Sequence, residues 1–562
     1  MTRSFDYVIV GGGSAGCVLA NRLSESGRHT VCLLEAGPRD WNPLIRMPLG
    51  MIPLVRGWFC NWKFWSEPQR HLNGRRLYQP RGRTLGGSSA INGTAYTRGH
   101  PFDYDRWAAL GCEGWSYRDV LPYFIASEHF EPASSPEDAP FHGQGGPLNI
   151  ANRPTNNPLS IAFVQAAQLA GHAHNPDFNG ARQEGVGLFH VFQKDGERCS
   201  NARAYLRPAE GRPNLTIVTG AHATQIQIVG RHATGVRFRH RGEDRAVKAE
   251  REVILCAGAF QSPQLLLLSG IGPHDELQRH DIGTVHDLPG VGANLQDHLD
   301  VYVVTRAKSR VGFSFHPTAW WRLAKALWQY ARHRTGECTS NAGESGGFFR
   351  SKPDEAIPDM QWHLLPTMNP KHALDLRPVF RHYGYSVMNY DLRPLSRGRV
   401  GLRSADPTAP PLIDPNFGAD RRDIERLVRG VRETRRVLAQ APFDAHRDQE
   451  VAPGAKVQSD AELEAWVRQT AEVAYHPVGT CKMGPARDPM AVVDPRLRVH
   501  GIRGLRVADA SIMPTVPGCN TNAPTTMIGE KAAAMILEDA ARGTPAQSPP
   551  EPTAESLPAQ AA

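Results

Sequence analysis

Apolar residues near the start of the chain form two short continuous runs, with a glycine-rich turn and a helical pattern between them. Residues 5–10 (FDYVIV) are a β-forming run, typical of a strand buried on both faces of a parallel sheet. Residues 17–23 follow a helical pattern, and a second strand is predicted at residues 30–34. The pattern therefore predicts a strand–helix–strand unit within a parallel sheet.

The turn after the first strand carries glycines at the spacing of a dinucleotide-binding fingerprint. Gly11 would allow the tight turn, Gly13 would let the backbone approach a pyrophosphate, and Gly16 would let helix pack on strand. The helix N-terminus would then face the phosphates with its partial positive charge, and Ser14 and Ala15, in the turn before it, are assigned to the same site. We therefore assign these residues to a nucleotide site.

An acidic residue ends the second strand. Glu35 lies roughly twenty residues beyond the glycines, where a carboxylate is expected to bind the ribose hydroxyls. An acid here favours an unphosphorylated ribose, and hence FAD or NAD rather than NADP. The continuation through Ala36 and Gly37 favours FAD.

Two later stretches have patterns that leave their role open. Residues 41–62 are unusually apolar for a proline-broken segment, and either cap an apolar substrate channel or form a buried loop. Residues 320–332 (WWRLAKALWQYAR) place tryptophans on one helical face and basic residues on another. That helix either lies in a lipid interface or packs on the core of its domain.

Composition and charge narrow the class of protein. With 562 residues, of which 40% are hydrophobic, the chain can form one large or two intertwined domains. The net charge is +8 and the pI is near 9.0, but the arginines are scattered and no lysine run concentrates the charge. A nucleic-acid partner is therefore not predicted.

The nine cysteines form no C-x-x-C pair, so the sequence indicates neither a zinc site nor a disulfide framework, and a reduced cytoplasmic setting fits best. The N-terminus has no apolar signal region. No apolar run approaches the ~20 residues that a spanning helix needs. We therefore expect a soluble protein, with peripheral contact at the inner face of the cell membrane left open.

Five further segments, in order along the chain, carry a family resemblance. A glycine–serine loop at 82–99 (GRTLGGSSAINGTAYTRG) offers backbone N–H groups to an anion or cofactor. The other segments are 258–272 (GAFQSPQLLLLSGIG), 291–298 (VGANLQDH), 475–484 (YHPVGTCKMG) and 507–533 (VADASIMPTVPGCNTNAPTTMIGEKAA). Together they resemble the signatures of the glucose–methanol–choline (GMC) flavin oxidoreductases over nearly the whole chain.

The resemblance implies FAD bound across these segments. Ala223 should reach the adenine side, Asp509 and Ala510 should lie near the ribityl chain and phosphate, and Thr521 is assigned to the same site. The residues expected to approach the pyrophosphate and isoalloxazine are Gly86, Gly87, Asn92, Gly93 and Ala95. Some members bind FAD covalently through a histidine in the glycine loop, but this chain has Ile91 there. We therefore expect non-covalent FAD and no metal.

The family pattern implies an α/β (α+β overall) fold. A Rossmann-like FAD-binding domain is interleaved with a substrate domain built on a mostly antiparallel sheet, with strand edges expected at residues 397–402 and 411–415. The FAD-binding parts are predicted at 1–150, 206–300 and 481–542, the substrate parts at 151–205 and 301–480, and a disordered tail at 543–562.

The chemistry expected from the resemblance is alcohol oxidation. His476 is implied as the base that takes the hydroxyl proton, because a histidine is mostly neutral at pH 7. Asn520 stands where many members have a second histidine, and its amide would hydrogen-bond the developing alkoxide. His298 and Cys481 are interpreted as structural, and Asn522 is either a further amide of the site or a residue that only caps a loop.

Within the family, the chain is most similar to the dehydrogenases that act on choline and to the membrane-associated aliphatic alcohol dehydrogenases of bacterial alkane oxidation. This implies oxidation of a primary alcohol to the aldehyde, with electrons passed to a quinone-type acceptor. The alternatives are a choline dehydrogenase, an alcohol oxidase that uses oxygen, and a hydroxynitrile-lyase-like enzyme with structural FAD. The sequence does not determine the alcohol, the acceptor or the oligomeric state.

Overall fold

A computed structural model describes residues 3–57, 59–152, 157–372 and 374–542. The predicted tail at 543–562 lies outside the described residues. The six-part division of the chain into domain segments stays a prediction, whereas the arrangement of sheets can be stated directly.

The first large sheet is mixed, and its central strands are parallel. The initial apolar run forms the strand Arg3–Val10, whose Val8 and Ile9 are completely buried, as expected for a strand covered on both faces. It pairs in parallel with Val31–Glu35 on one side and with Glu243–Leu255 on the other. The remaining strands of this sheet are Leu215–Thr219, Ala221–Val229, His232–His240 and Leu505–Val507.

The second large sheet is antiparallel at every strand pair that the described residues form. This confirms the predicted combination of a Rossmann-like sheet with a mostly antiparallel one. Its strands are Gly185–Leu188, Leu299–Ala307, Ser345–Phe349, Met360–Leu365, Gly384–Asp391, Arg447–Ala452 and Glu472–Val473.

The smaller sheets correct one expectation. The predicted strand edges at 397–402 and 411–415 are the strands Arg399–Gly401 and Leu412–Asp414, which within the described residues form a separate two-stranded sheet and are not part of the large antiparallel sheet. The other short strands of the described chain are Phe64–Trp65, Tyr78–Gln79, Glu128–Phe130, Leu148–Ala151, Val191–Lys194, Glu197–Arg198, Ile271–Gly272 and His286–Asp287.

Helices cover both sheets. The helix predicted at 17–23 begins three residues earlier, because it starts directly after the extended Gly13. The longer helices are Ser14–Ser24, Pro101–Ala109, Tyr117–Ser127, Pro158–Leu169, Gly258–Leu268, Trp320–His333, Arg421–Leu438, Asp460–Thr470 and Asn522–Ala541. Short helices span Pro43–Arg46, Met51–Val55, Arg207–Ala209, His274–Gln278 and Arg377–Arg381.

Each large sheet has its own apolar core. The first core joins the parallel strands to Ser14–Ser24 and Asn522–Ala541, which pack against each other. The second core joins the antiparallel sheet to Arg421–Leu438, where Ile424, Leu427 and Val431 repeat at the spacing of one helical face.

The structure also bears on the expected redox state, on metal binding and on the membrane. All nine cysteines are free thiols, and eight of them are buried. In the described ranges, no group of His, Cys, Asp and Glu side chains could hold a metal ion. Across the same ranges, none of the helices combines the length and apolarity needed to cross a membrane.

Candidate active site

A cavity of about 420 Å³ lies where residues of the two large sheets meet, a size typical of small-molecule sites. Both proposed reaction residues, His476 and Asn520, line it. The expected cofactor residues that also line it are Gly11, Gly13, Ser14, Ala15, Glu35, Ala36, Gly87, Asn92, Gly93, Ala95, Ala223, Asp509, Ala510 and Thr521. Gly16 and Gly86 lie behind this layer and do not line the cavity.

The glycines at one end of the cavity are required by close backbone packing. Gly11 has a φ of +104°, and a Cβ there would overlap the backbone of Cys256, which directly follows the neighbouring strand. A Cβ at Gly16 would overlap the carbonyl of Gly11, so this residue serves helix packing rather than ligand contact. A Cβ on Gly87, which has a φ of +53°, would lie 2.8 Å from the Cα of Gly13. The two glycine loops therefore abut and present bare backbone to the cavity.

Helix N-termini converge on the same region. The first residues of Ser14–Ser24, Gly258–Leu268 and Asn522–Ala541 all line the cavity. Each N-terminus carries partial positive charge and unpaired backbone N–H groups, which suit a phosphate. One of these N–H groups is already paired, because the Gly258 N–H donates a 2.8 Å bond to the Asp509 carboxylate. The remaining donors fit a pyrophosphate.

Glu35 is held in place by the glycine loop. Its two carboxylate oxygens accept bonds from the N–H of Gly12 at 2.9 Å and of Gly37 at 2.7 Å. Burial raises the pKa of Glu35 to about 7, against the lowering effect of these two bonds. Each oxygen retains acceptor capacity for a ribose hydroxyl. Taken with the helix N-termini, the residues present fit FAD, the cofactor expected from the sequence.

At the other end of the cavity, two distant motifs hold the His476 segment together. Tyr475 has a φ of +70°, a strained conformation for a residue with a side chain. The strain is offset by the facing segment, where Asp297 accepts a 2.7 Å bond from the His476 N–H. The Ala474 N–H also donates to the carbonyl of His298 at 2.9 Å. The motifs at 291–298 and 475–484 thus form one rigid support for the imidazole.

His298 determines which nitrogen of His476 carries the proton. The Nε2–H of His298 points at the Leu392 carbonyl, 3.1 Å away, so its Nδ1 is left as an acceptor. The two Nδ1 atoms lie 3.0 Å apart, and His476 must therefore be the donor at Nδ1. This assignment leaves a lone pair on Nε2 of His476.

Asn520 supports the same assignment from the other side. Its Oδ1 accepts bonds from the Thr97 hydroxyl at 3.1 Å and from the Gln361 amide at 3.2 Å. These two donors fix the amide, so its Nδ2 donates toward Nε2 of His476 at 3.2 Å. A proton acceptor and an amide donor therefore face the cavity side by side.

Burial keeps both histidines neutral. It lowers the pKa of His476 well below the ordinary value, and the nearby His298 and Arg81 lower it further. It also lowers the pKa of His298 to about 4. Nε2 of His476 is thus unprotonated at pH 7, and it can accept a proton once a substrate hydroxyl takes the place of the Asn520 N–H at its lone pair.

Several cavity residues were not anticipated from the sequence. His363 and Tyr302 line the cavity beside the reaction end, and the Gln361 amide lies 2.9 Å from Nε2 of His363. Burial lowers the pKa of His363 to about 4. The alternation along Met360–Leu365 places Gln361 and His363 on one face, which is the signal that could have identified them. The hydroxyl of Tyr302 has no hydrogen-bond partner in the described part of the chain.

The apolar segment at 41–62 contributes directly to the cavity wall. Leu49, Met51, Ile52, Val55 and Trp62 line the cavity. This geometry favours the channel-capping interpretation over that of a buried loop.

Comparisons with known proteins agree over nearly the full length. The N-terminal and C-terminal models of the GMC oxidoreductase family match residues 5–300 and 394–529. An alcohol dehydrogenase (acceptor) from Pseudomonas putida is 48% identical over 539 residues, covering 95% of this chain and 96% of that protein. An oxygen-dependent choline dehydrogenase from Sinorhizobium fredii is 45% identical over 537 residues, covering 95% of both.

Solved structures show the same architecture. A formate oxidase variant from Aspergillus oryzae has a TM-score of 0.89 and 30% identity, over 96% of this chain and 99% of that one. Pyridoxine 4-oxidase from Mesorbium loti has a TM-score of 0.83 and 31% identity, over 95% and 99%. The family resemblance of the sequence motifs is confirmed, and the chain belongs to the GMC oxidoreductase family.

Proposed function

We propose that this protein is an FAD-dependent dehydrogenase that oxidises an uncharged primary alcohol to the aldehyde. The observation that carries the proposal is the unprotonated Nε2 of His476 beside the Nδ2 donor of Asn520, both facing an apolar part of the cavity. A base and a donor placed together suit a substrate hydroxyl, which gives up a proton while its oxygen gains negative charge.

Different residues bind the cofactor, accept the proton and stabilise the substrate oxygen. The cofactor would be held by the glycine loops, Glu35 and the helix N-termini, and FAD when bound supplies the acceptor for the hydride that leaves the alcohol carbon. His476 takes the hydroxyl proton at Nε2, while its Nδ1–H stays bonded to His298. Asn520 donates its amide N–H to the substrate oxygen as charge develops there.

Non-covalent attachment of FAD is also proposed. Ile91 lines the cavity directly after the glycine–serine turn, where some family members carry the tethering histidine. An isoleucine side chain offers no nucleophile. Acid precipitation should therefore release the yellow cofactor into the supernatant.

The carboxylates of the cavity argue against a cationic substrate. Choline recognition needs an aromatic cage and a carboxylate close to the quaternary ammonium group. In the described cavity wall, Glu35 and Asp509 accept backbone bonds at the nucleotide end, and Glu337 pairs with Arg322 at 3.3 Å. The reaction end is instead lined by Leu365, Met388 and Tyr390 among others. An aliphatic or otherwise apolar alcohol is therefore favoured.

An anaerobic panel of alcohols tests the proposal. Short, long and aromatic alcohols and choline are each added to the purified yellow enzyme, and flavin absorbance is followed. We expect uncharged primary alcohols to bleach the flavin and choline to do so poorly. Preferential bleaching by choline would support the choline dehydrogenase alternative, and bleaching by no alcohol would favour the lyase. Reoxidation by a soluble quinone that is faster than by oxygen would separate a dehydrogenase from an oxidase.

The pH dependence follows from the lowered pKa of His476. A base works only when unprotonated, so kcat/KM is lost as pH falls through its pKa and is constant above it. Because burial places that pKa below the usual value of about 6.5, we expect kcat/KM to be flat above that pH. A pH profile of flavin reduction checks this, and an inflection above pH 7 that belongs to His476 would contradict the assigned protonation state.

The pH profile needs a control variant at Asp297, because burial raises the pKa of its carboxyl group to about 7 and its titration would fall in the same pH range. Its carboxylate accepts the backbone N–H of His476 and of His298. In Asp297→Asn, an inflection caused by Asp297 disappears, whereas one caused by His476 remains. The two titrations can thus be assigned separately.

The natural acceptor and the location complete the proposal. The relative from Pseudomonas putida is named an alcohol dehydrogenase (acceptor), and we propose a quinone-type acceptor for this chain. We propose a cytoplasmic protein that works at the inner face of the cell membrane, where such acceptors are dissolved.

A further inference from the structure

The helix Trp320–His333 turns its tryptophans away from the protein. Ala326 and Tyr330 are the residues that this helix buries. Trp320, Trp321 and Trp328 are 62%, 82% and 61% exposed. The apolar face predicted from the sequence is therefore the outer face of the helix, contrary to the interpretation in which it packs on the domain core.

A second short helix extends this exposed surface. Phe380, in Arg377–Arg381, is 54% exposed, and its ring lies 5.1 Å from that of Phe315. The backbone of Phe315 links the two helices, since its N–H donates to Val379 and its carbonyl accepts from the Trp320 indole. We call the surface formed by Trp320, Trp321, Leu327, Trp328 and Phe380 the aromatic patch.

Basic side chains surround the aromatic patch. Lys325, Arg332 and Arg381 are exposed, and within the described ranges none of these three makes an ion pair. Exposed tryptophans interspersed with unpaired cations are characteristic of helices that lie in the interface of an anionic membrane. A protein partner is less well matched, because lysine is depleted in the buried centre of protein interfaces.

The cavity reaches the surface between these two helices. Phe315, Leu323 and Leu376 are only half-buried, and they line the cavity together with Ala319 and Val379. The aromatic patch and the half-buried end of the cavity thus belong to the same elements. An alcohol entering here would pass along apolar side chains.

We propose that the aromatic patch docks this protein onto an anionic lipid bilayer, with the cavity opening toward the acyl chains so that an apolar alcohol enters from the membrane. The docking stands on the patch and its charges alone. The entry route rests on the proposed function. An exposed apolar surface of this kind marks an interaction site, and the surrounding cations favour a partner that carries negative charge.

Flotation of the FAD-loaded enzyme with vesicles tests the docking without any alcohol. Vesicles of phosphatidylglycerol and phosphatidylcholine should carry the enzyme, and phosphatidylcholine vesicles should carry much less. The double variant Lys325→Gln, Arg332→Gln should bind the anionic vesicles about thirtyfold more weakly, since each cation near the surface is worth about 1 kcal/mol. Trp321→Ser, Trp328→Ser should lose binding to both kinds of vesicle.

Trp65→Ser is the matched control, because Trp65 is 48% exposed but lies on the short strand Phe64–Trp65, which is not part of the patch. This variant should float like the wild type. Absence of flotation by the wild-type enzyme, or equal loss in the control, would overturn the proposal. The proposal would also be overturned if sedimentation showed a dimeric wild type and a monomeric Trp321→Ser, Trp328→Ser variant. A second copy of this chain would then cover the patch.

The entry route has its own readout. The tryptophan double variant should reduce its flavin with a short water-soluble alcohol at the wild-type rate, because neither side chain lines the cavity. With a long-chain alcohol dissolved in vesicles, its reduction should be at least several-fold slower. Equal rates with the vesicle-borne alcohol would overturn the entry route. If neither alcohol bleached the flavin in the wild type or in the variant, the result would instead count against the proposed function.

Discussion

Replacing His476 by Ala should lower the rate of flavin reduction by an alcohol at least a hundredfold while the enzyme stays yellow. General-base help is typically worth ~10²–10⁴ in rate. The neighbouring Asn520 cannot replace the lost base, because an amide does not accept a proton at neutral pH. His476 lies at the opposite end of the cavity from the glycine loops, so its replacement should leave the nucleotide end unchanged. Anaerobic stopped-flow absorbance measures the rate, and the flavin-to-protein ratio measures retention.

His500→Ala is the control for this experiment. His500 is half-buried, its ring nitrogen lies 3.2 Å from the Gly484 carbonyl, and it does not line the cavity. We expect a wild-type rate in this variant. An unchanged rate in His476→Ala would remove the proposed mechanism, because the structure offers no second unprotonated imidazole bonded to Asn520 in its described part.

Replacing Asn520 by Ala should lower kcat by about 10²–10³, the usual cost of removing one donor to a developing oxyanion. The Nδ2 donor would be lost, and the Thr97 hydroxyl and Gln361 amide would lose the acceptor that they share. Because the donor acts on the charge that develops during the reaction, kcat should fall more than KM rises. Steady-state kinetics with the best alcohol of the panel measure both constants.

Asn520→Asp separates the donor role from a merely structural one. The carboxylate keeps the shape and the acceptor of the amide but places negative charge against the alkoxide. It should therefore be at least as slow as Asn520→Ala. It should also raise the pKa of His476, because a nearby anion stabilises the imidazolium, so the acid limb of the pH profile should move upward. A near wild-type rate in this variant would show that Asn520 only shapes the loop.

The nucleotide end of the fold could be predicted from the sequence because its causes are local. A continuous apolar run followed by glycines can form a buried strand and a tight turn, and the structure places that strand at Arg3–Val10. Gly11 and Gly87 have positive φ, which a side chain would make unfavourable. The position of Glu35 at the end of the next strand follows from the same strand–helix–strand unit.

The contacts around the reaction end could not be predicted in this way. His298 and His476 are separated by 178 positions in the chain, and Gln361 and Asn520 by 159. No periodicity or spacing relates residues that far apart. Their distances are fixed only when the antiparallel sheet and the loops at its edge pack together.

By itself, the sequence determined the family, the fold class and the positions of the motifs, because backbone sterics and short-range apolar patterns act over a few residues. It also showed that Trp320–His333 would be an amphipathic helix. Only the tertiary structure decided which face of that helix is buried, and which nitrogen of His476 is free to take a proton. Both depend on neighbours brought together by long-range packing, and a one-dimensional pattern contains no information about the direction in which a folded element turns.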